Sequence, residues 1–176
     1  QAVDVLKRRG LSRCLVALAG DIVVGEPPPG KTGWSIGVAE RALAESDDGK
    51  ASSPRPASSF SEGEPSPKTH QMLLANSAVS TSGDIEQFIE IAGTRYSHLI
   101  DPRTGLGITT QRSVTAVAAR GEVADALASA LCVLGPNDAP GVLRAFPPSA
   151  AVFADVVGGR IVELTIDPRK EQHWSP

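Results

Sequence analysis

SVTAVAARGEVADALASALCVLGP, residues 113–136, passes from strand to helix in a single run and sets the architecture of the chain. Ser113 to Ala119 reads as a β segment, which leads into a helix from about Glu122 to Leu134 ended by Gly135 and Pro136. Downstream, a short helix at about Ala139 to Ala145 precedes strands at Ala150 to Ala154 and Arg160 to Ile166, joined through Gly158 and Gly159. Upstream, Ala2 to Arg9 reads as the end of a helix, with Ala2, Val5 and Leu6 on one face and Gly10 as its left-handed stop. Cys14 to Leu18 reads as a buried strand. GDIVVGEPPPGKTGW then predicts a short strand, a proline-glycine turn and a second strand through Ser35 to Val38, together a hairpin with a wide loop. Met72 to Ser80 reads as one strand, and Glu86 to Ile91 with Tyr96 to Ile100 as a hairpin around Ala92 and Gly93. Strands and helices do not alternate regularly. The expected fold is therefore α+β, with mixed or antiparallel sheet layers and packed helices, not a doubly wound parallel sheet.

The 176 residues suffice for one domain with a real core, and 41% hydrophobic content fits a globular chain. With a net charge of −3 and no Lys/Arg cluster, the electrostatic footprint of a nucleic-acid binder is missing, so no nucleic-acid partner is expected. No apolar run approaches the roughly 20 residues of a membrane span. From 44 to 68 the composition turns to Ser, Pro, Glu and Gly, which predicts a flexible surface insertion because such a segment buries too little apolar surface to offset its ordering entropy. Cys14 and Cys132 sit among apolar residues without CxxC-type spacing and read as small core side chains. His70 and His173 fall in or beside the flexible sequence and read as solvated. GEPPPGK lacks the spacing of a phosphate loop, so its prolines read as a stiff connection.

Three groups of residues could carry chemistry. Asp125 and Ser129 are four apart in the expected helix and share a face, where a carboxylate, a hydroxyl and a nearby carbonyl suit Mg²⁺. Spacing alone favours the plainer reading, in which Asp125 sits in the first turn against the helix dipole. In YSHLIDPRTG, from Tyr96 to Gly105, the residues describe a strand ending in a turn, with Asp101 first, Pro102 second and Gly105 relaxing the chain. His98 there is either an ordinary strand histidine or a group that accepts or positions a proton. Ser80, Thr81, Ser82, Gly83 and Asp84 make a hydroxyl-rich cluster that reads as a plain turn or as one holding phosphate through backbone N–H groups.

Four blocks, AGDIVVGEPPPGKTGWSIGV from Ala19, VSTSGD from Val79, YSHLIDPRTG and the Ser113 run, together resemble the ApbE-like FAD:protein FMN transferases. The resemblance implies a T-fold-related flavin transferase domain. It implies transfer of FMN from FAD to a Thr or Ser hydroxyl of an acceptor flavoprotein subunit of a redox complex, with Mg²⁺ required and AMP released. FAD pyrophosphatase activity and a non-catalytic FAD-binding module are the alternatives. Ala124 to Ala130 matches the family's A-D-A-x-A-T-A metal stretch, so Asp125, the backbone of Ala128 and the Ser129 hydroxyl are the implied ligands, Ser standing for the usual Thr. His98 corresponds to the family's functional histidine, with Asp101 setting the turn and the imidazole, and Ile100 to a residue touching FAD. Ser80, Thr81, Ser82 and Gly83 match its ATSGD signature, with Ile85 where an aromatic is common. Gly20 and Asp21 resemble the end of its GGD or GGN turn, with Ala19 at the first glycine, where a Cβ disfavours positive φ.

By the same resemblance the chain is expected to be the C-terminal portion of one such domain, about the first half of a typical member lying upstream of Gln1. Alone it is expected to bind FAD weakly, turn over negligibly and expose apolar surface. The family's acceptors imply a bacterial periplasmic or outer-face location at the inner membrane.

Overall fold

The computed structural model describes residues 2–39, 69–83 and 87–170. The expected insertion at 44–68, Asp84, Ile85, the His70 side chain and His173 lie outside the described parts. In chain order the elements are α1 (Ala2–Arg8), β1 (Leu15–Leu18), β2 (Asp21–Val24), β3 (Trp34–Ala39), β4 (Thr69–Leu74), β5 (Ser77–Gly83), β6 (Phe88–Ile91), β7 (Thr94–Ser97), β8 (Ile100–Asp101), β9 (Leu106–Gly107), β10 (Arg112–Ala118), α2 (Gly121–Leu134), α3 (Ala139–Ala145), β11 (Ala150–Val157) and β12 (Arg160–Ile166). Six strands form one sheet in the order β1-β2-β5-β10-β11-β12, and β3–β4, β6–β7 and β8–β9 form three two-stranded ribbons. Among the described residues every strand pair is antiparallel, so the fold is the expected α+β.

The helix α2 forms because Ala124, Leu127, Ala128, Leu131 and Cys132 recur at the spacing of one helical face, and all five are buried. That face lies on β5 and β10. The contact is rich in alanine: Ala124 and Ala128 share a cluster with Ala78, Ala116, Ala118 and Ala151, each no more than 2% exposed. Such short side chains let the helix approach the sheet closely. Leu131, Leu143 and Phe153 fill the remaining volume, each stabilising the fold by about 1.5–3 kcal/mol relative to exposure. Arg112 ties the end of this helix to the sheet, donating from Nε and Nη2 to Asp155 at 2.6 Å and from Nη1 to the Cys132 carbonyl at 3.4 Å. A cation suits that end of the helix dipole. The sheet's other face buries Val24 and Val79 against Ile36, with Trp34 and Leu74 of the β3–β4 ribbon packed beside them.

Several expectations need correcting. β2 and β3 do not form a wide-looped hairpin: β2 turns back onto β1 through Ala19 and Gly20, and β3 pairs with β4. Ala19 and Gly20 both adopt positive φ, 49° and 97°, so the alanine does enter the region its Cβ disfavours. The strand expected at Met72–Ser80 is two strands in different sheets, broken at Asn76, whose φ of 47° suits asparagine. β1 is an edge strand with Leu15 and Leu18 exposed, not a buried one, and Cys14 is half-buried. In α1 the buried residue is Val3, whereas Val5 is exposed.

Candidate functional site

Along β5 the side chains alternate between faces, as strand geometry requires. Ala78, Ser80 and Ser82 point toward α2, and Val79 and Thr81 point away. The run Ser80–Gly83 is thus not the tight turn read from sequence. It is the second half of a strand whose residues oppose Ala116, Thr115, Val114 and Ser113 of β10. Among the described residues its other edge is open beyond Val79, since β2 pairs with β5 through Ser77, Ala78 and Val79.

Two side-chain contacts span that open end. Ser80, only 3% exposed, donates its hydroxyl to Asp21 Oδ1 at 2.5 Å. The hydroxyls of Ser82 and Ser129 lie 2.9 Å apart, joining β5 to α2. Cys132 Sγ donates to the Ser82 carbonyl at 3.3 Å, a second link between the same elements. Thr81 is directed elsewhere, to the Thr115 hydroxyl at 2.8 Å on the opposite face.

Asp125 lies one helical turn before Ser129 and is exposed, while Ala128 is fully buried. Because α2 begins at Gly121, the acidic residue in its first turn is Glu122, whose own backbone N–H leads in holding its carboxyl below the usual range. Favouring the helix dipole is therefore the role of Glu122, not Asp125. A carboxylate, a hydroxyl and a helical carbonyl with a second lone pair form an all-oxygen donor set, which fits part of a Mg²⁺ shell. Among the described residues no group of three or more His, Cys, Asp or Glu adds to it.

The second cluster is carried by β7, β8 and β9. Buried Ser97 binds backbone-to-backbone with Ile108, and Ile108 in turn with Leu99, so Leu99 and Ile108 pack against the same core as α2. His98 between them points outward. Its backbone N–H donates to the Gln87 carbonyl at 3.0 Å and its Nδ1 lies 3.2 Å from that oxygen. A carbonyl oxygen only accepts, so Nδ1 is the donor in this contact, and Nε2 is the ring nitrogen that Gln87 does not engage. Asp101 sets the turn as expected: its carbonyl accepts from Thr104 and Gly105. Its carboxylate does not hold the imidazole. It accepts from Nε and Nη2 of Arg103 at 2.8–3.1 Å and from the Arg103 backbone N–H at 2.9 Å. The Arg103 side-chain bonds, then its backbone bond, keep the Asp101 carboxyl below the usual carboxylate range and raise the guanidinium in turn. Ile100 is 60% exposed beside it, an apolar surface open to a ligand. Among the described residues no hydrogen bond or ion pair joins this cluster to Asp125 or Ser129.

Sequence reasoning passed over Asp21 as a site residue, Arg103 as the partner of Asp101 and Gln87 as the anchor of His98. Arg103 had a local signal, since an Asp two residues before a basic residue in a turn invites an Asx-type bond. The other two depend on strand pairing.

Residues 1–153 match the sequence model of the ApbE family. The chain belongs to the ApbE family. It is 47% identical over 77 residues to a FAD:protein FMN transferase of Treponema pallidum, a match covering 43% of this chain and 21% of that protein. A FAD:protein FMN transferase of Rhodobacter capsulatus is 41% identical over 68 residues, 39% of this chain and 13% of the relative. The fold matches the apo flavinyl transferase ApbE of Pseudomonas stutzeri with a TM-score of 0.69 and 27% identity, covering 96% of this chain and 46% of that one. The flavin transferase ApbE of Vibrio cholerae gives the same TM-score at 22% identity, over 96% and 47%, a likeness of fold. The ApbE chain described here thus spans less than half the length of these relatives.

Proposed function

We propose that the protein to which this ApbE chain belongs transfers the FMN half of FAD to a Thr or Ser hydroxyl of an acceptor flavoprotein, with Mg²⁺ required and AMP released. The observation that carries this reading is the Ser82–Ser129 contact, which joins the hydroxyl-bearing end of β5 to the helix bearing Asp125. The names of the relatives, FAD:protein FMN transferase, support the reaction class.

In this mechanism Asp125, the Ala128 carbonyl and the Ser129 hydroxyl would hold Mg²⁺ as part of its shell. The ion, when bound, supplies charge neutralisation at the diphosphate. Ser82 and the open edge of β5 orient the nucleotide beside that helix. The Nε2 lone pair of His98 accepts the proton of the acceptor hydroxyl as its oxygen attacks the FMN-side phosphorus. The bond from that phosphorus to the bridging oxygen breaks, and AMP departs with the oxygen. Arg103 holds Asp101, and with it the turn that follows His98. Exposed Ile100 contributes apolar contact to the flavin.

The acceptor is a flavin-carrying subunit of a redox complex, modified after translation, and the site of action is the periplasm or outer face of the inner membrane. These two statements rest on the sequence resemblance.

The test incubates the protein with FAD, Mg²⁺ and an acceptor protein, followed by denaturing electrophoresis. A flavin-fluorescent acceptor band together with free AMP is expected. AMP without a band would replace transfer by FAD hydrolysis, and neither product would leave a passive flavin-binding module.

A further inference from the structure

We propose that Asp21 is a positioning residue for this site, acting through Ser80 to hold the open end of β5 where Ser82 meets Ser129; the inference rests on the function proposed above. The β2–β5 ladder stops at the Ile22–Val79 pair. Beyond it, among the described residues, one edge of β5 has no further strand pairing, at the point where the hydroxyls begin. The Asp21–Ser80 bond takes over there. It is 2.5 Å long, and its donor hydroxyl is only 3% exposed. Asp21 reaches this place because the Ala19–Gly20 turn makes it the first residue of β2, opposite Leu18. Its side chain shares a face with Val23, which packs against the core under α2. Ser82 follows Ser80 by two residues and so shares its face. A shift of the strand at Ser80 would therefore be carried directly to the Ser82–Ser129 contact, although Asp21 itself touches neither helix ligand in any hydrogen bond described.

The chemistry distinguishes positioning from charge. The substitution Asp21→Asn retains an oxygen that accepts from Ser80, whereas Asp21→Ala leaves a buried hydroxyl without its acceptor. The expected result for Asp21→Ala is a rise of roughly tenfold in the KM for FAD and in the Mg²⁺ concentration for half-maximal rate, with kcat at saturation within about twofold of the unmodified protein. Asp21→Asn should stay within about twofold in all three quantities. Ser80→Ala should reproduce Asp21→Ala, and the double variant should be no worse than either single one.

Amide hydrogen exchange, measured without ligand, should be roughly tenfold faster in Asp21→Ala, and unchanged in Asp21→Asn, at whichever of Thr81 and Ser82 donates its N–H to β10. Equal losses in Asp21→Asn and Asp21→Ala would overturn the inference in favour of a role for the charge. Additive losses in the double variant, or unchanged exchange in Asp21→Ala, would overturn it as well. If the unmodified protein neither binds nor transfers flavin, the proposed function falls, while the exchange comparison still decides whether Asp21 holds β5.

Discussion

Two hairpins of this ApbE protein turn on the same chemistry and end in different circumstances. β1–β2 reverses through Ala19 and Gly20, β6–β7 through Ala92 and Gly93, and in both turns the alanine and the glycine take positive φ. The first is continued by β5 into the six-stranded sheet, so Val24 is 1% exposed and Asp21 meets a buried hydroxyl. The second stands as a ribbon of two strands, with Phe88, Ile89 and Ile91 exposed. A two-residue turn thus decides which strands meet locally, and a third strand decides whether the hairpin belongs to the core. The proposed chemistry draws on both circumstances. In that proposal the oxygen ligands sit on the helix packed against the main sheet, and His98 follows the exposed ribbon.

The largest contrast should appear on truncating side chains in the two regions. Leu131→Ala in the core should cost about 2–5 kcal/mol, whereas Ile89→Ala in the ribbon should stay within about 0.5 kcal/mol. Denaturant unfolding of both variants measures this, and comparable costs would break the distinction. On the helix side, Asp125→Ala should lower flavin transfer by at least about 100-fold without moving the melting temperature, because its exposed side chain carries little packing. A parallel fall in stability would make Asp125 structural.

The two turns can be compared directly by relieving their alanines. Ala19→Gly should stabilise the whole fold by up to about 1 kcal/mol, since an L side chain is strained at positive φ and this turn belongs to the main sheet. Ala92→Gly should slow amide exchange within β6–β7 and leave global unfolding unchanged. A global gain from Ala92→Gly would show that the ribbon is coupled to the core.

The smallest effect concerns pH. The folded Asp101 carboxyl titrates below its unfolded value because of Arg103, so the pair favours the folded turn above the ordinary carboxylate range. That contribution is lost only as pH falls through the depressed value. Following the Asp101 carboxyl by NMR, Arg103→Ala should move its titration upward toward the ordinary carboxylate range. No upward movement would remove Arg103 as the cause.

How much was legible beforehand follows the range of the forces involved. The run from about Glu122 to Leu134 reads as a helix and Gly135 with Pro136 as its end, because both signals lie within a few turns of chain. The β6–β7 hairpin was legible from Ala92 and Gly93 between apolar runs. At Ala19 and Gly20 the resemblance marks a turn, but the neighbouring prolines suggest that β2 pairs with the strand after them, whereas it pairs back with β1. The pairing of β2 with β5 left no local trace at all. In the site, the Asp101 turn could be read from Pro102 and Gly105, but the strand character of Ser80–Gly83 could not, since Ser, Thr and Gly favour turns until a partner strand claims their backbone.

By itself the sequence determined the helix with its buried stripe, the α+β class and the family. Each of these is written in residues close together or in motifs carried whole. Only the tertiary structure decided that Ser80 meets Asp21 across 59 positions and Ser82 meets Ser129 across 47. Strand order depends on which faces can be buried together, and a pair of hydroxyls leaves no periodic mark on the chain.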